Sequence, residues 1–195
     1  LVSWADLIVG YSEWLEFAAA GEVEHLPAHN SSYERHVLLQ YDKDVEAALA
    51  GESALHWDLG RRGHGLYLEP AAKINHLNAS RPLSMLRVTF LGGRLFSAAR
   101  AKGWPPLRRV AYALAAPVIP LVRLPRIIRR LALAGRQFDA PAVVAPLVVL
   151  ALGASAMGEL AGYALGEGHA QENLCDMELH RERYVRRQDR TDLES

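Results

Sequence analysis

The sequence predicts an α/β fold in its first part and a mostly helical, apolar and basic region after it, and three observations carry that expectation. The stretch "GESALHWDLGRRGHGLYLEP", residues 51–70, reads as helix, basic turn and short strand. Beyond residue 81, arginines are interleaved with long aliphatic runs that Pro105, Pro106, Pro117, Pro120 and Pro125 break into short helices. Residues 140–166, "APAVVAPLVVLALGASAMGELAGYALG", then run almost without charge.

A chain of 195 residues is long enough to bury a core and makes one domain or slightly more. Its single cysteine, Cys175, excludes an intrachain disulfide framework and a cysteine-based zinc site. The net charge of zero conceals three blocks. Residues 1–69 hold 12 acidic and 4 basic side chains, residues 70–138 hold 13 basic and no acidic ones, and residues 139–195 hold 10 acidic and 5 basic. A middle block with no carboxylate cannot balance itself, so it needs an anion from elsewhere: membrane phospholipid, nucleic acid or a phosphorylated ligand. Cations beside Leu, Ile, Val and Trp suit the headgroup boundary of a membrane. Nucleic acid is the weaker partner, because no zinc-finger, RRM or KH pattern and no series of stacking aromatics accompanies the arginines.

Taken in order, "SWADLIVGYSEWLEF" places Trp4, Leu7, Ile8, Tyr11, Trp14 and Leu15 on overlapping helical faces. It lacks the basic start and unbroken apolar core of a signal peptide. A polar loop, Pro27 to Ser32, precedes a helix near Tyr33 that Asn30 or a serine can cap. Asn30 and Asn78 also open three-residue glycosylation sequons, a weak pattern. Glu52 opens a helix, where the dipole favours a carboxylate by about 0.3–1 kcal/mol, so a structural role is sufficient by itself. Arg61, Arg62 and His64 form a basic turn that reads as solvated loop.

The apolar segment 140–166 is long enough to cross a bilayer, and equally suits an interfacial or a packed helix. Gly158, Gly162 and Gly166 recur every four residues, a small-residue face that permits close approach of another helix, including one from a second copy. Residues 167–195 read as a solvated, charged helix that frays at its end, with Glu178, Arg181, Glu182 and Arg186 at pairing distances. The resulting organisation is 1–80, 81–139 as a basic amphipathic region, 140–166 as the apolar helix, and 167–195 as the tail.

The order of asparagine loop, helix, carboxylate, strand and histidine resembles the C-terminal half of the catalytic domain in family 2 glycosyltransferases, which have the GT-A fold. The matching segments are "HNSSYERHVLL", "ESALHWDL", "RRGHGLYLEP" and "INHLN", followed by a membrane-associated tail. The resemblance implies inverting transfer from a nucleotide-sugar to an acceptor hydroxyl, with Glu52 as base. It further implies acceptor contacts from Asn30, His56 and Trp57, a diphosphate contact from Arg94, and Mg or Mn near His76. Ser53 stands where many members carry the aspartate assigned as base, which departs from the family pattern. "DKD" at Asp42 to Asp44 lies downstream of the asparagine loop, the wrong place for a DxD metal motif, so a donor-binding half is expected upstream of Leu1. The alternative is a noncatalytic, membrane-associated helical interaction module. Either way the expected location is the cytoplasmic side of the membrane, peripheral or with one spanning helix.

Overall fold

The computed structural model describes residues 1–14, 19–27, 30–50, 52–74, 76–134 and 142–191, so Leu15 and residues 140–141 of the predicted segments lie outside the described residues. The chain divides into two compact units, one of Leu1–Ser12 with His76–Ser195, the other Glu13–Asn75.

The smaller unit holds β1 (Gly21–Val23), α2 (Arg35–Leu38), α3 (Val45–Ala50), α4 (Glu52–Arg61) and β2 (Leu66–Leu68). The two strands pair antiparallel, with Gly21 opposite Leu68 and Val23 opposite Leu66. Val37, Leu55, Leu59 and Leu66 form its core. The expected strand at "LYLEP" therefore exists, but it pairs with "GEV" in a two-stranded ribbon.

That arrangement overturns the α/β fold class and the resemblance to a GT-A domain. A parallel α/β sheet needs several buried strands written as apolar, β-branched runs. The long apolar runs here are rich in Ala, Leu and Gly, and they are helices.

The larger unit contains α1 (Val2–Tyr11), α5 (Pro82–Arg100), α6 (Pro106–Ala115), α7 (Ile119–Ala134), α8 (Ala145–Leu165), α9 (Ala170–Leu179) and α10 (Arg187–Thr191). At its centre α5 and α8 run side by side in the same direction, with Phe90 and Arg94 against Gly158, and Arg94 and Ala98 against Gly162. A Cβ on Gly158 would overlap the Phe90 carbonyl, and one on Gly162 the Arg94 carbonyl. The small-residue face is thus occupied within the chain. Gly166 instead ends α8 at φ 78°, a backbone state that favours glycine.

α6 and α7, joined through Ala116–Val118, run antiparallel along α8: Ala113 meets Tyr163 at one end and Ile127 meets Val148 at the other. α1 packs Val2, Ala5, Ile8 and Val9 on the same core, and the Asp6 carboxylate accepts the Ala79 amide at 2.9 Å. Burial raises the Asp6 carboxyl to about 6, against the lowering effects of that amide and of Arg181.

Within residues 167–191 the tail is partly packed, while its expected frayed end at 192–195 lies outside the described residues. Val185 is buried, the Arg186 amide donates to Ser80 Oγ at 2.8 Å, and Arg181 bonds both Glu178 and the Leu77 carbonyl. These contacts bind residues 181–186 to the segment that receives α1.

Crowding at the α5–α8 contact has a measurable consequence. Gly158→Val lowers Tm by about 2–12 °C, since overpacking costs about 1–3 kcal/mol and each kcal/mol shifts a domain this size by about 2–4 °C. Nothing lies within 4 Å of a Cβ on Gly153. Gly153→Ala therefore raises Tm by a few degrees, because Ala favours helix over Gly by about 1 kcal/mol. Thermal melts followed by circular dichroism check both.

Candidate functional site

Glu52 and His56 lie four residues apart on α4 and share one face. Tyr33, in the extended segment before α2, closes the gap between them. Its Oη lies 2.7 Å from His56 Nε2 and donates to Glu52 Oε1 at 3.3 Å. The Leu26 amide donates to His56 Nδ1 at 3.4 Å. That leaves the imidazole proton on Nε2, so the bonds run in one direction: Leu26 amide to His56, His56 to Tyr33, Tyr33 to Glu52.

The electrostatics follow from burial. His56 is 2% exposed, and burial followed by the neighbouring His25 lowers its imidazole to about 4. It is neutral at pH 7. Burial raises Glu52 to about 7, opposed by the Tyr33 hydrogen bond, and the same burial with the nearby Glu52 charge pushes the Tyr33 phenol up. His25 stands 5.9 Å from the His56 ring and edge-on to Trp57 at 5.5 Å, with its buried Nδ1 unpartnered. An open cleft of about 560 Å³ adjoins them, lined in part by Glu22, Glu24, His56, Trp57, Arg61 and His64. A carboxyl that titrates near neutrality beside a neutral imidazole can take up or release a proton at physiological pH.

The structure brings Glu52, His56 and Trp57 together, and adds Tyr33 and His25, which sequence reasoning missed. The E-x-x-x-H spacing on α4 was the available signal. Asn30 is elsewhere in this unit, its amide donating to the Ala72 carbonyl. Arg61 and Arg62 pair with Asp58, to which Tyr41 also donates at 2.7 Å.

His76 and Arg94 belong to the larger unit. His76 Nδ1 donates to Asn78 Oδ1 at 2.8 Å, and Nε2 accepts from Tyr11 Oη at 3.2 Å, so neither nitrogen presents a lone pair to a metal. Arg94 donates to the Gly166 carbonyl at 2.9 Å and so closes the end of α8. Among the described residues, no three His, Cys, Asp or Glu side chains gather as a metal site.

The larger unit offers a different surface. Along α6 and α7 the outward side is aliphatic: Leu107 (82% exposed), Val110, Leu114 (76%), Val118, Leu121 (72%), Val122, Ile128 and Leu133 (79%). Arg108, Arg126 and Arg129 are exposed among them. Inward, Arg123 reaches Ser155 Oγ at 3.1 Å and the Val9 carbonyl at 3.3 Å, tying α7 to α8 and α1. The segments Pro106–Leu133 and Ala145–Leu165 are both long and apolar enough to span a membrane.

Comparison of the chain with protein-family models, with curated proteins and with solved structures finds no match in any of the three. The sugar-transfer expectation therefore loses the fold on which it rested.

The Tyr33 cluster predicts an unusual pH response. Glu52, raised from 4.5 to about 7, gives stability that is lost as pH rises through that window; His56, lowered from 6.5 to about 4, gives stability that is lost as pH falls through its own. Between pH 4.5 and 6.5 the two slopes oppose and largely cancel. His56→Gln removes one of them, so from pH 4.5 to 6.5 the variant loses stability more steeply than the parent, in which Asp6, raised to about 6, still adds a loss as pH rises. Urea unfolding followed by tryptophan fluorescence reads the difference.

Proposed function

We propose that this chain is a membrane-associated helical interaction module, with α6 and α7 lying as a strap in the headgroup layer. The single observation behind this reading is the row of exposed aliphatic side chains on those two helices. A soluble surface rarely keeps so long an apolar row, and each Leu or Ile withdrawn from water contributes about 1.5–3 kcal/mol.

Lying in the interface fits better than crossing the bilayer. By length and composition Pro106–Leu133 could cross, but its longest uncharged stretch is the 13 residues between Arg109 and Arg123, and arginines flank it on both sides. Arg126 and Arg129 share the exposed surface with Ile128 and Leu133, as they do on helices that lie flat between lipid tails and headgroups. α8 is half covered by its neighbours and carries the buried Glu159, which suits the core of the helical unit. The 13 cations of residues 70–138 favour an anionic leaflet, the property of the cytoplasmic one. The acidic first block, with 12 carboxylates against 4 cations, supports a basic partner as the molecule recruited.

Leu114→Glu and Leu121→Glu each weaken partitioning onto phosphatidylcholine vesicles by about tenfold or more, the equivalent of one lost leucine contact. Vesicle flotation measures this. Carbonate washing releases the parent chain from membranes; retention in the carbonate pellet would establish a spanning helix and refute the interfacial placement.

A further inference from the structure

We propose that the corner where α5 ends and α6 begins is a binding site for the phosphate of an anionic phospholipid headgroup; this rests on the interfacial reading and deepens it. Four cations fall within residues 100–109 there: Arg100 at the end of α5, Lys102 in the turn, and Arg108 and Arg109 in the first turn of α6. Their neighbours are aromatic. The Arg108 guanidinium lies 3.9 Å from the Trp104 ring centre, and Arg100 lies 5.1 Å from that of Tyr112. Trp104 in turn stacks parallel to Tyr163 at 6.0 Å and meets Tyr112 edge-on at 4.7 Å.

Stacking orients a guanidinium while leaving the N–H groups at its edge able to bond an anion. Arg109 is fixed through the Tyr163 carbonyl, to which its Nε donates at 2.9 Å, and Arg100 donates to Tyr163 Oη at 3.3 Å. The buried Glu159 acts on both Arg100 and Arg123. Residues 70–138 carry no acidic side chain, so the segment that forms the corner adds only positive charge, and Lys102 and Arg108 are exposed.

The surroundings select a lipid over a soluble phosphate. Leu107, beside Arg108, is among the most exposed apolar side chains of the described residues and begins the aliphatic row. Trp and Tyr rings flanking cations at the end of an apolar surface match the depth of headgroups, where an amphipathic ring is half in and half out of water. A phosphate seated at this corner puts its acyl chains alongside Leu107, Val110 and Leu114.

The full-length chain is tested by flotation with vesicles of phosphatidylcholine alone and of an equimolar mixture with phosphatidylglycerol. The parent binds the mixed vesicles more tightly. Arg108→Lys keeps the charge but loses the planar fork over Trp104, and it weakens binding to the mixed vesicles by about fivefold and binding to phosphatidylcholine by less. A lysine variant that matches the parent would reduce the effect to general charge attraction and overturn the site. Equal binding of the parent to both vesicle types also overturns the site while leaving the strap intact; no binding to either removes both readings. Inorganic phosphate, added against chloride at matched ionic strength, leaves vesicle binding unchanged; displacement by it would assign the corner to the free ion. Matching circular dichroism melts of parent and variant secure the comparison.

Discussion

The close contact of α5 with α8 sets the geometry of the larger unit. Because Gly158 and Gly162 bring backbone against backbone on one side, α8 meets α1, α6 and α7 on others, while Val149, Leu150, Met157 and Leu165 stay exposed. The apolar length of α8 follows from this position. A helix packed on several sides is apolar over most of its surface, as a membrane span is, and its neighbours distinguish the two. Arg123, Ser155 and Glu159 add polar links inside the bundle, where pairing and hydrogen bonding offset the cost of burial.

α6 and α7 obey the opposite rule. They touch α8 through a narrow inner stripe, including Ala113, Ala116 and Ile127, and leave their aliphatic residues outside. The prolines between and within them remove backbone donors and bend the path, so the strap is two short segments. Such a surface is stable in water only at a cost, and a headgroup layer relieves it.

Much of this arrangement was legible in the residues. The carboxylate-free middle block, the helix over 145–165 and the helix opening at Glu52 are visible from charge, hydropathy and first-turn chemistry. Partners were not. "LYL" carries the pattern of a strand whether it joins a large sheet or a ribbon with "GEV", because pairing is decided by distant segments. Glycines at 158 and 162 announce close approach without naming α5. Tyr33 looks like any helix-flanking aromatic until α4 turns His56 and Glu52 toward it. Motif order alone suggested an enzyme fold because helix, turn and strand are common words in any α-rich chain.

The larger unit is interrupted in sequence: α1 ends at Tyr11, and its companions Val144 and Val148 lie some 130 residues further on. On a ribosome adding about 5–20 residues per second, the helix emerges roughly 7–30 s before α8 exists to receive it. Throughout that interval Val2, Ile8 and Val9 lack Val144, Val148, Ala151 and Leu152 from their native core. The nascent chain therefore carries a partly covered apolar helix past the exit tunnel, and a chaperone or a lipid surface is its natural first companion.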